Sequence, residues 1–126
     1  FEGVVFRSIK REDVKAIAEL HTVLFPVKYS EGFYESLFED NTVVILAYTA
    51  AQNMLVGLST ARIEEDSGSC YARCDGYIAT LGVKPGHRRG GLGGFLLQRT
   101  IDLLRDERNC LTIKLHVKAD NIAAIN

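Results

Sequence analysis

The residues with the clearest chemical potential form the run 87–97, which reads HRRGGLGGFLL. Two arginines precede four glycines that fall within five positions, and an apolar segment with helical spacing follows them. The free N–H groups at a helix N-terminus attract anions, and glycine lets a ligand approach the backbone closely. This pattern therefore predicts a phosphate cradle, with a glycine-rich surface turn as the plainer alternative.

Two common nucleotide motifs do not fit this run. A P-loop needs Lys followed by Ser or Thr after its last glycine, whereas Gly94 is followed by Phe95. The dinucleotide fingerprint Gly-x-Gly-x-x-Gly begins well at Gly91 and Gly93, but Leu96 occupies the position of its third glycine. The predicted phosphate therefore belongs to a different kind of cofactor.

The elements that would position this loop can be read from periodicity and turn residues. Alternating or β-branched runs predict strands over 4–9, 42–49, 54–63, 77–83 and 111–117. Helical spacing predicts helices from Asp13 to about Phe25, over 31–39, and from about Gly91. Asn121 is a suitable cap for a last helix that the chain end interrupts. His21 lies on the apolar face of the first helix, where we expect a satisfied core histidine.

The order β-α-α-β-β-β-α-β-(α) predicts an α/β (α+β) fold in a single domain of 126 residues. Short turns between the earlier strands indicate antiparallel pairing, and the strand–loop–helix–strand segment indicates one parallel βαβ unit. We therefore expect a mixed, mostly antiparallel central sheet with helices on both faces.

Composition excludes several classes of function. The net charge of −1 shows none of the basic excess typical of a nucleic-acid surface, and no apolar run approaches the ~20 residues of a membrane span. Three cysteines without a secretory signal favour reduced thiols in the cytoplasm over a disulfide framework, and their spacing predicts no metal site. Because the chain begins with Phe1, we expect a fragment, a processed form or a trimmed form.

The segment Arg88-x-x-Gly91-x-Gly93, set between a strand and an amphipathic helix, resembles the pyrophosphate loop of the GCN5-related N-acetyltransferase (GNAT) family. Members of that family hold acetyl-coenzyme A (acetyl-CoA). The resemblance implies that the last part of the preceding strand pairs with the pantetheine arm of the cofactor. The cofactor-binding residues it implies are Leu81, Gly82, Val83, Arg88, Arg89, Gly90, Gly91, Leu92, Gly93, Gly94 and Asn121.

Further segments resemble protein N-terminal (Nα) acetyltransferases, and among them the NatE type. These segments are 24–29 (LFPVKY) with Phe33-Tyr34, 77–82 (YIATLG) and 115–117 (LHV). The resemblance implies Tyr77 and His116 as the catalytic pair. It implies a pocket for the substrate peptide lined by Phe25, Pro26, Val27, Tyr29, Tyr77 and Ala79.

Three departures from that group stand out. Ala79 replaces a common methionine, which implies a wider pocket floor, and Lys28 puts a charge in the pocket loop. The chain also stops before the Phe-Tyr and the final strands of the family, so we expect a C-terminally incomplete domain.

The acceptor chemistry agrees with this interpretation. A protein α-amine has a pKa of about 7.7–8.0, against about 10.4 for lysine, so a histidine acting through water is a sufficient base. Strand alternation predicts that Thr112, Lys114 and His116 share one face of their strand. It also predicts a shared face for Tyr77, Ala79, Leu81 and Val83.

The resemblance thus implies direct acetyl transfer to Met-starting protein N-termini, within a larger complex at the ribosome and without nucleic-acid or membrane partners. Two alternatives stay open. A lysine or small-amine acetyltransferase would need a carboxylate near the amine, and the matching strands show none. A domain that binds coenzyme A without catalysis is the other alternative.

Overall fold

A computed structural model of the chain describes residues 3–25, 28–66, 73–88 and 90–115. Its strands and helices follow the predicted order. The strands are β1 (Val4–Arg7), β2 (Thr42–Thr49), β3 (Leu55–Asp66), β4 (Arg73–Val83) and β5 (Cys110–Leu115). The helices are α1 (Val14–Leu24), α2 (Glu31–Ser36) and α3 (Leu92–Asp102), with a 3-10 turn at Arg11–Asp13 and a π-helical turn at Leu103–Glu107.

The five strands form one sheet in the order β1-β2-β3-β4-β5. The first three pairings are antiparallel, whereas β4 and β5 are parallel and are connected through α3. The connections between antiparallel strands return the chain in the opposite direction. The parallel strands β4 and β5 run in the same direction, so the chain must cross over between them, and α3 forms this crossover. The predicted mixed sheet with one βαβ unit is therefore confirmed.

Helices cover both faces of the sheet, as predicted. One core packs α3 and the π-helical turn against the sheet through Leu92, Leu96 and Leu104. The other core packs α1 and α2 through residues that include Ile17, Leu20 and Leu37. We call these two surfaces of the sheet the α3 face and the α1/α2 face.

Some element boundaries differ from the predicted ones. The helix α2 ends at Ser36 rather than near Glu39, because the chain turns there and the Thr42 hydroxyl bonds the Leu37 carbonyl at 2.9 Å. The strand β3 continues beyond its predicted end to Asp66, and β4 begins before its predicted start, at Arg73. These added ends pair with each other. The added ends of these strands are mostly polar and show no alternation of apolar residues. Backbone pairing rather than side-chain burial therefore extends the two strands there.

The strand β4 carries a β-bulge at Ala79. Thr60 of β3 pairs with Thr80, but the next residue, Ala61, pairs with Ile78, so Ala79 is an extra residue in β4. Such an insertion reverses the alternation of side chains beyond it.

The predicted shared face of Tyr77, Ala79, Leu81 and Val83 is therefore wrong. Tyr77 and Ala79 border a cavity on the α1/α2 face, whereas Leu81 and Val83 are fully buried on the α3 face.

The start of α1 is tied to the sheet by a buried carboxylate. Asp13 is 2% exposed and accepts hydrogen bonds from the Arg7 guanidinium, the Lys10 N–H and the Tyr48 hydroxyl. Burial, with the hydrogen bond to Asp13, raises the pKa of Tyr48 to about 12. This network holds α1 against β1 and β2, and so fixes the position of the residues that α1 presents to the sheet.

The described ranges can be compared with three sequence expectations, which concern membrane spans, metal sites and disulfides. None of their helices has the length and apolar character that crossing a membrane requires. They hold no group of three or more His, Cys, Asp or Glu side chains placed to bind a metal ion. Cys74 and Cys110 are free thiols with Sγ atoms 3.4 Å apart, and Cys70 lies outside the described residues.

Candidate functional site

The glycine-rich loop forms an open helix N-terminus, as predicted. Gly91 adopts a left-handed conformation with φ of 81° and caps α3, which begins at Leu92. The first α3 hydrogen bond runs from Phe95 N–H to the Gly91 carbonyl at 2.9 Å, so the N–H groups of residues 91–94 have no acceptor within the helix. The first turn of α3, which is described throughout, carries no acidic side chain.

The surroundings of this helix end are open and positively charged. A Cβ placed on Gly90 would meet no described atom within 4 Å, so the approach to the backbone is clear. Arg88 is exposed, and its Nε donates a hydrogen bond to the Val83 carbonyl at 2.9 Å. This bond holds the Arg88 charge beside the end of β4, which suits an anionic ligand at α3. Arg89 lies outside the described residues.

The predicted cofactor residues of β4 offer backbone rather than side chains. Leu81 and Val83 are fully buried on the α3 face, and Leu92 also packs there. A Cβ on Gly82 would lie 2.7 Å from Leu24 Cδ1, so this glycine allows α1 to pack closely on β4. In the described part of β5, pairing with β4 reaches only to Ile78 opposite Leu115.

A cavity of about 280 Å³ opens on the α1/α2 face beside Tyr77. Tyr77 is half-buried, with Lys114 Nζ 5.4 Å and Arg62 Cζ 5.8 Å from its ring centroid. Both α2 and the neighbouring strands contribute to the wall, and we call the space the acceptor cavity. Its lining consists of Phe33, Ser36, Leu37, Thr42, Thr60, Ala61, Arg62, Glu64, Tyr77 and Ala79.

The acceptor cavity contains a carboxylate that the sequence analysis missed. Glu64 lines the cavity, and its carboxylate lies 2.5 Å from the Arg62 guanidinium. The available sequence signal was the alternation of polar residues in β3 at Arg62 and Glu64, which an exposed strand also shows. Glu64 belongs to β3, outside the strands that carry the resemblance, so the expectation that those strands hold no carboxylate is unaffected.

His21 is a buried core histidine, as predicted, but it also has two polar partners. Its ring is 1% exposed, and it lies 3.0 Å from the Tyr34 hydroxyl through Nδ1 and 3.3 Å from the Thr80 hydroxyl through Nε2. Burial lowers the pKa of His21 from 6.5 to about 4, so the ring is neutral at physiological pH. Its centroid lies 4.9–5.9 Å from those of four aromatic rings, which form the aromatic cluster of Phe25, Tyr29, Phe33 and Tyr34.

The structure brings the predicted substrate residues together only in part. Tyr77 and Ala79 line the acceptor cavity, whereas Phe25 is buried and joins Tyr29 in the aromatic cluster beside it. Pro26, Val27, His116 and Asn121 lie outside the described residues, so their roles stay predictions. Thr112 and Lys114 lie on one face of β5, as predicted. The Thr112 hydroxyl donates a hydrogen bond to Asp75, and the Lys114 ammonium lies over the Tyr77 ring.

Comparison with known proteins agrees with this geometry. A family model described as "Acetyltransferase (GNAT) family" matches residues 14–126. The chain belongs to the GNAT family. The predicted fold family is thereby confirmed, and acetyl-CoA is the cofactor that membership of this family implies.

Individual relatives show the same similarity. The chain is 31% identical over 113 residues to "Probable N-acetyltransferase san" of Drosophila melanogaster, covering 90% of this chain and 58% of the relative. The chain thus spans less than two thirds of that curated relative. Two solved Arabidopsis thaliana structures with bisubstrate analogues are also similar. NAA60 has a TM-score of 0.81 and 25% identity, covering 97% of this chain and 79% of that one.

Naa50, solved with the analogue CoA-Ac-MVNAL, has a TM-score of 0.77 and 28% identity, covering 98% of this chain and 78% of that one. The resemblance to N-terminal acetyltransferases that the sequence suggested is therefore confirmed.

Stability should depend on pH through His21. Between pH 6.5 and pH 4 the unfolded chain binds a proton at this residue and the folded chain does not, so stability falls as pH falls. We expect a loss of up to about 3 kcal/mol in the free energy of unfolding across this range. Urea unfolding at several pH values measures it. His21→Gln carries no titrating group and should flatten this part of the profile; an equal slope in both proteins would contradict the assignment.

The cradle can be tested with two substitutions of nearly equal size at Gly91. Asn and Asp both tolerate the left-handed conformation, so Gly91→Asn measures the effect of the added side chain. Gly91→Asp adds a negative charge where the helix end should hold the pyrophosphate. We expect calorimetry to show acetyl-CoA binding at least about tenfold weaker in Gly91→Asp than in Gly91→Asn. Equal affinities would show that no anion binds at this helix end.

Proposed function

We propose that this protein is an Nα-acetyltransferase that transfers the acetyl group of acetyl-CoA to protein N-termini. The observation that carries the proposal is the placement of an open helix N-terminus and a cavity along the same strand, β4. The loop leaves β4 at Val83 and the cavity borders Tyr77, so the two sites are separated by about 20 Å of strand. A cofactor with phosphates at one end of a long arm and an acyl group at the other suits this distance.

The chain's own groups fit the cofactor. The N–H groups of residues 91–94 would hold the pyrophosphate, Arg88 would add charge, and the backbone of β4 beyond the bulge would face the arm. Acetyl-CoA supplies the activated thioester. The residues of this chain would act on the acceptor amine. The amine must be neutral so that its lone pair can attack the thioester carbon.

Tyr77 and His116 would prepare the amine. Tyr77 lines the acceptor cavity, and its hydroxyl would orient the amine, while the predicted role of His116 is to take up the amine proton through water. A neutral α-amine is already present at neutral pH because its pKa is only about 7.7–8.0. With both substrates bound together, the amine nitrogen would bond directly to the acetyl carbon as the carbon–sulfur bond breaks. The proton lost by the nitrogen would balance the one that the departing thiolate takes up, so that coenzyme A leaves as its thiol.

The preferred acceptor would start with Met followed by an apolar residue. Phe33, Leu37 and Ala79 give the cavity an apolar side, and its volume of about 280 Å³ is sufficient for such a side chain. Naa50, to which this chain is similar, was solved with an analogue whose peptide part is MVNAL. A role at the ribosome in the cytoplasm, within a larger complex, belongs to the same proposal.

One observation favours a second candidate, a lysine or small-amine acetyltransferase. Glu64 lines the acceptor cavity, and a lysine amine with a pKa near 10.4 would need such a carboxylate to lose its proton. The ion pair with Arg62 keeps this carboxylate bound to a neighbouring cation, and for that reason we favour the α-amine.

A matched peptide panel decides between these acceptors. One peptide begins with Met-Leu, a second begins with Ser-Glu, and a third is N-terminally blocked and offers one internal lysine. We expect kcat/KM for the Met-Leu peptide to exceed that for the blocked peptide at least about tenfold, since only the α-amine is substantially neutral. The reverse order would establish the lysine candidate, and binding of acetyl-CoA without any product would establish a non-catalytic domain.

Two tyrosine variants assign the activity to the cavity. Tyr77→Phe should lower kcat about 100-fold, because it removes the hydroxyl that orients the amine. Tyr48→Phe removes a hydroxyl bonded to Asp13, away from the cavity, and should leave kcat within twofold. Equal kcat values in both variants would remove Tyr77 from the mechanism.

A further inference from the structure

His21 lies at the centre of a chain of hydrogen bonds that crosses the space between α2 and the sheet. The chain runs from the Tyr34 hydroxyl to His21 Nδ1 at 3.0 Å, and from Nε2 to the Thr80 hydroxyl at 3.3 Å. The Thr80 hydroxyl lies 2.5 Å from that of Thr60. His21, Thr60 and Thr80 are each at most 1% exposed, so the sheet side of the chain is shielded from water.

One end of this chain, Thr60, lines the acceptor cavity, and the other end, Tyr34, is the sequence neighbour of a lining residue. Tyr34 follows Phe33, which lines the cavity from α2. Thr60 lines it from β3, and Thr80 adjoins the bulge residue Ala79, which lines it from β4. The hydrogen bonds therefore join α2 to β3 and β4, the elements whose other residues line the cavity.

The bulge makes this connection geometrically possible. In a regular strand, Tyr77 and Thr80 would point to opposite faces because they are three residues apart. The extra residue Ala79 turns both toward the α1/α2 face, so Thr80 reaches His21 while Tyr77 borders the cavity. The position of His21 is thus coupled to the local geometry of β4 beside Tyr77.

We propose that His21 is a positioning residue that sets the width of the acceptor cavity by joining Tyr34 to Thr80. This inference rests on the proposed function and deepens it, because it assigns control of acceptor binding to a residue outside the catalytic pair. The hydrogen bonds do not extend to the cofactor cradle at α3, so acetyl-CoA binding should be independent of them.

A neutral imidazole suits this task. One ring nitrogen donates and the other accepts, and both partners are hydroxyl groups that can take either role. Burial lowers the pKa of His21 to about 4, so the ring keeps this neutral form near neutral pH. His21 therefore acts by holding two walls together and exchanges no proton with the substrate.

A double-mutant cycle with Tyr34→Phe and Thr80→Val tests the connection. Each variant removes one of the two hydroxyl groups that hydrogen-bond to the His21 ring. Valine keeps the branched shape of threonine. We expect each single variant to raise KM for the Met-Leu peptide about fivefold, with kcat within twofold. The double variant should have nearly the same KM as the single variants, because both changes break one connection. Multiplicative effects on KM, or no effect, would overturn the inference.

Two substitutions at His21 separate positioning from simple space filling. His21→Leu removes both polar contacts, whereas His21→Gln keeps one donor and one acceptor. We expect KM for the peptide to rise about tenfold in His21→Leu and less than threefold in His21→Gln. The dissociation constant of acetyl-CoA, measured by calorimetry, should change less than twofold in both. Equal KM changes in the two variants, or a parallel loss of acetyl-CoA affinity, would refute a positioning role.

The same series distinguishes failure of this inference from failure of the proposed function. The proposed function fails if the wild-type protein acetylates only the blocked lysine peptide, and the cycle then runs on KM for that substrate. If the wild-type protein shows no turnover, the cycle runs on the dissociation constant of the Met-Leu peptide. If the Tyr34 and Thr80 variants show no coupling in KM or in the peptide dissociation constant, the role of His21 is overturned. Coupling in the quantity measured supports it.

Discussion

The inserted residue Ala79 in β4 determines which side chains border the cavity beside Tyr77 and which belong to the core under α3. Before the bulge, Tyr77 points to the α1/α2 face, and after it Leu81 and Val83 point to the α3 face. A regular strand would place all three on one side and would expose Leu81 and Val83 to the acceptor cavity. The bulge thus lets one strand build an apolar core against α3 and a polar site against α2.

The cofactor end of the site depends on the packing that the bulge permits. The α3 side chains Leu92 and Leu96 are buried against the same core as Leu81 and Val83. This packing fixes the N-terminus of α3 next to the end of β4, where Arg88 bonds the Val83 carbonyl. The free N–H groups of α3 and the acceptor cavity are therefore held at a fixed separation, as the proposed transfer from a cofactor arm to an amine requires.

Local signals made much of the fold predictable. The order of elements, the end of α1 before Pro26 and the start of α3 at Gly91 all follow from residues within a few positions of each boundary. The glycine loop was predictable for the same reason, since its chemistry lies in one continuous segment.

Features that depend on distant contacts were not predictable. The bulge leaves no mark in composition, because Ala79 is an ordinary strand residue whose irregularity exists only relative to β3. The contact between His21 and Thr80 joins residues 59 positions apart, and periodicity indicated only that His21 was buried. Glu64 is an exposed strand residue that pairs with Asp75, and only the fold shows that it lines the cavity beside Tyr77.

The most direct test of the account is a crystal structure of the protein with a conjugate of coenzyme A and a Met-Leu peptide. The account predicts that the pyrophosphate oxygens lie about 3 Å from the N–H groups of residues 91–94. It also predicts that the first peptide side chain occupies the cavity beside Tyr77, on the α1/α2 face. A pyrophosphate away from α3, or a peptide bound outside that cavity, would contradict the account.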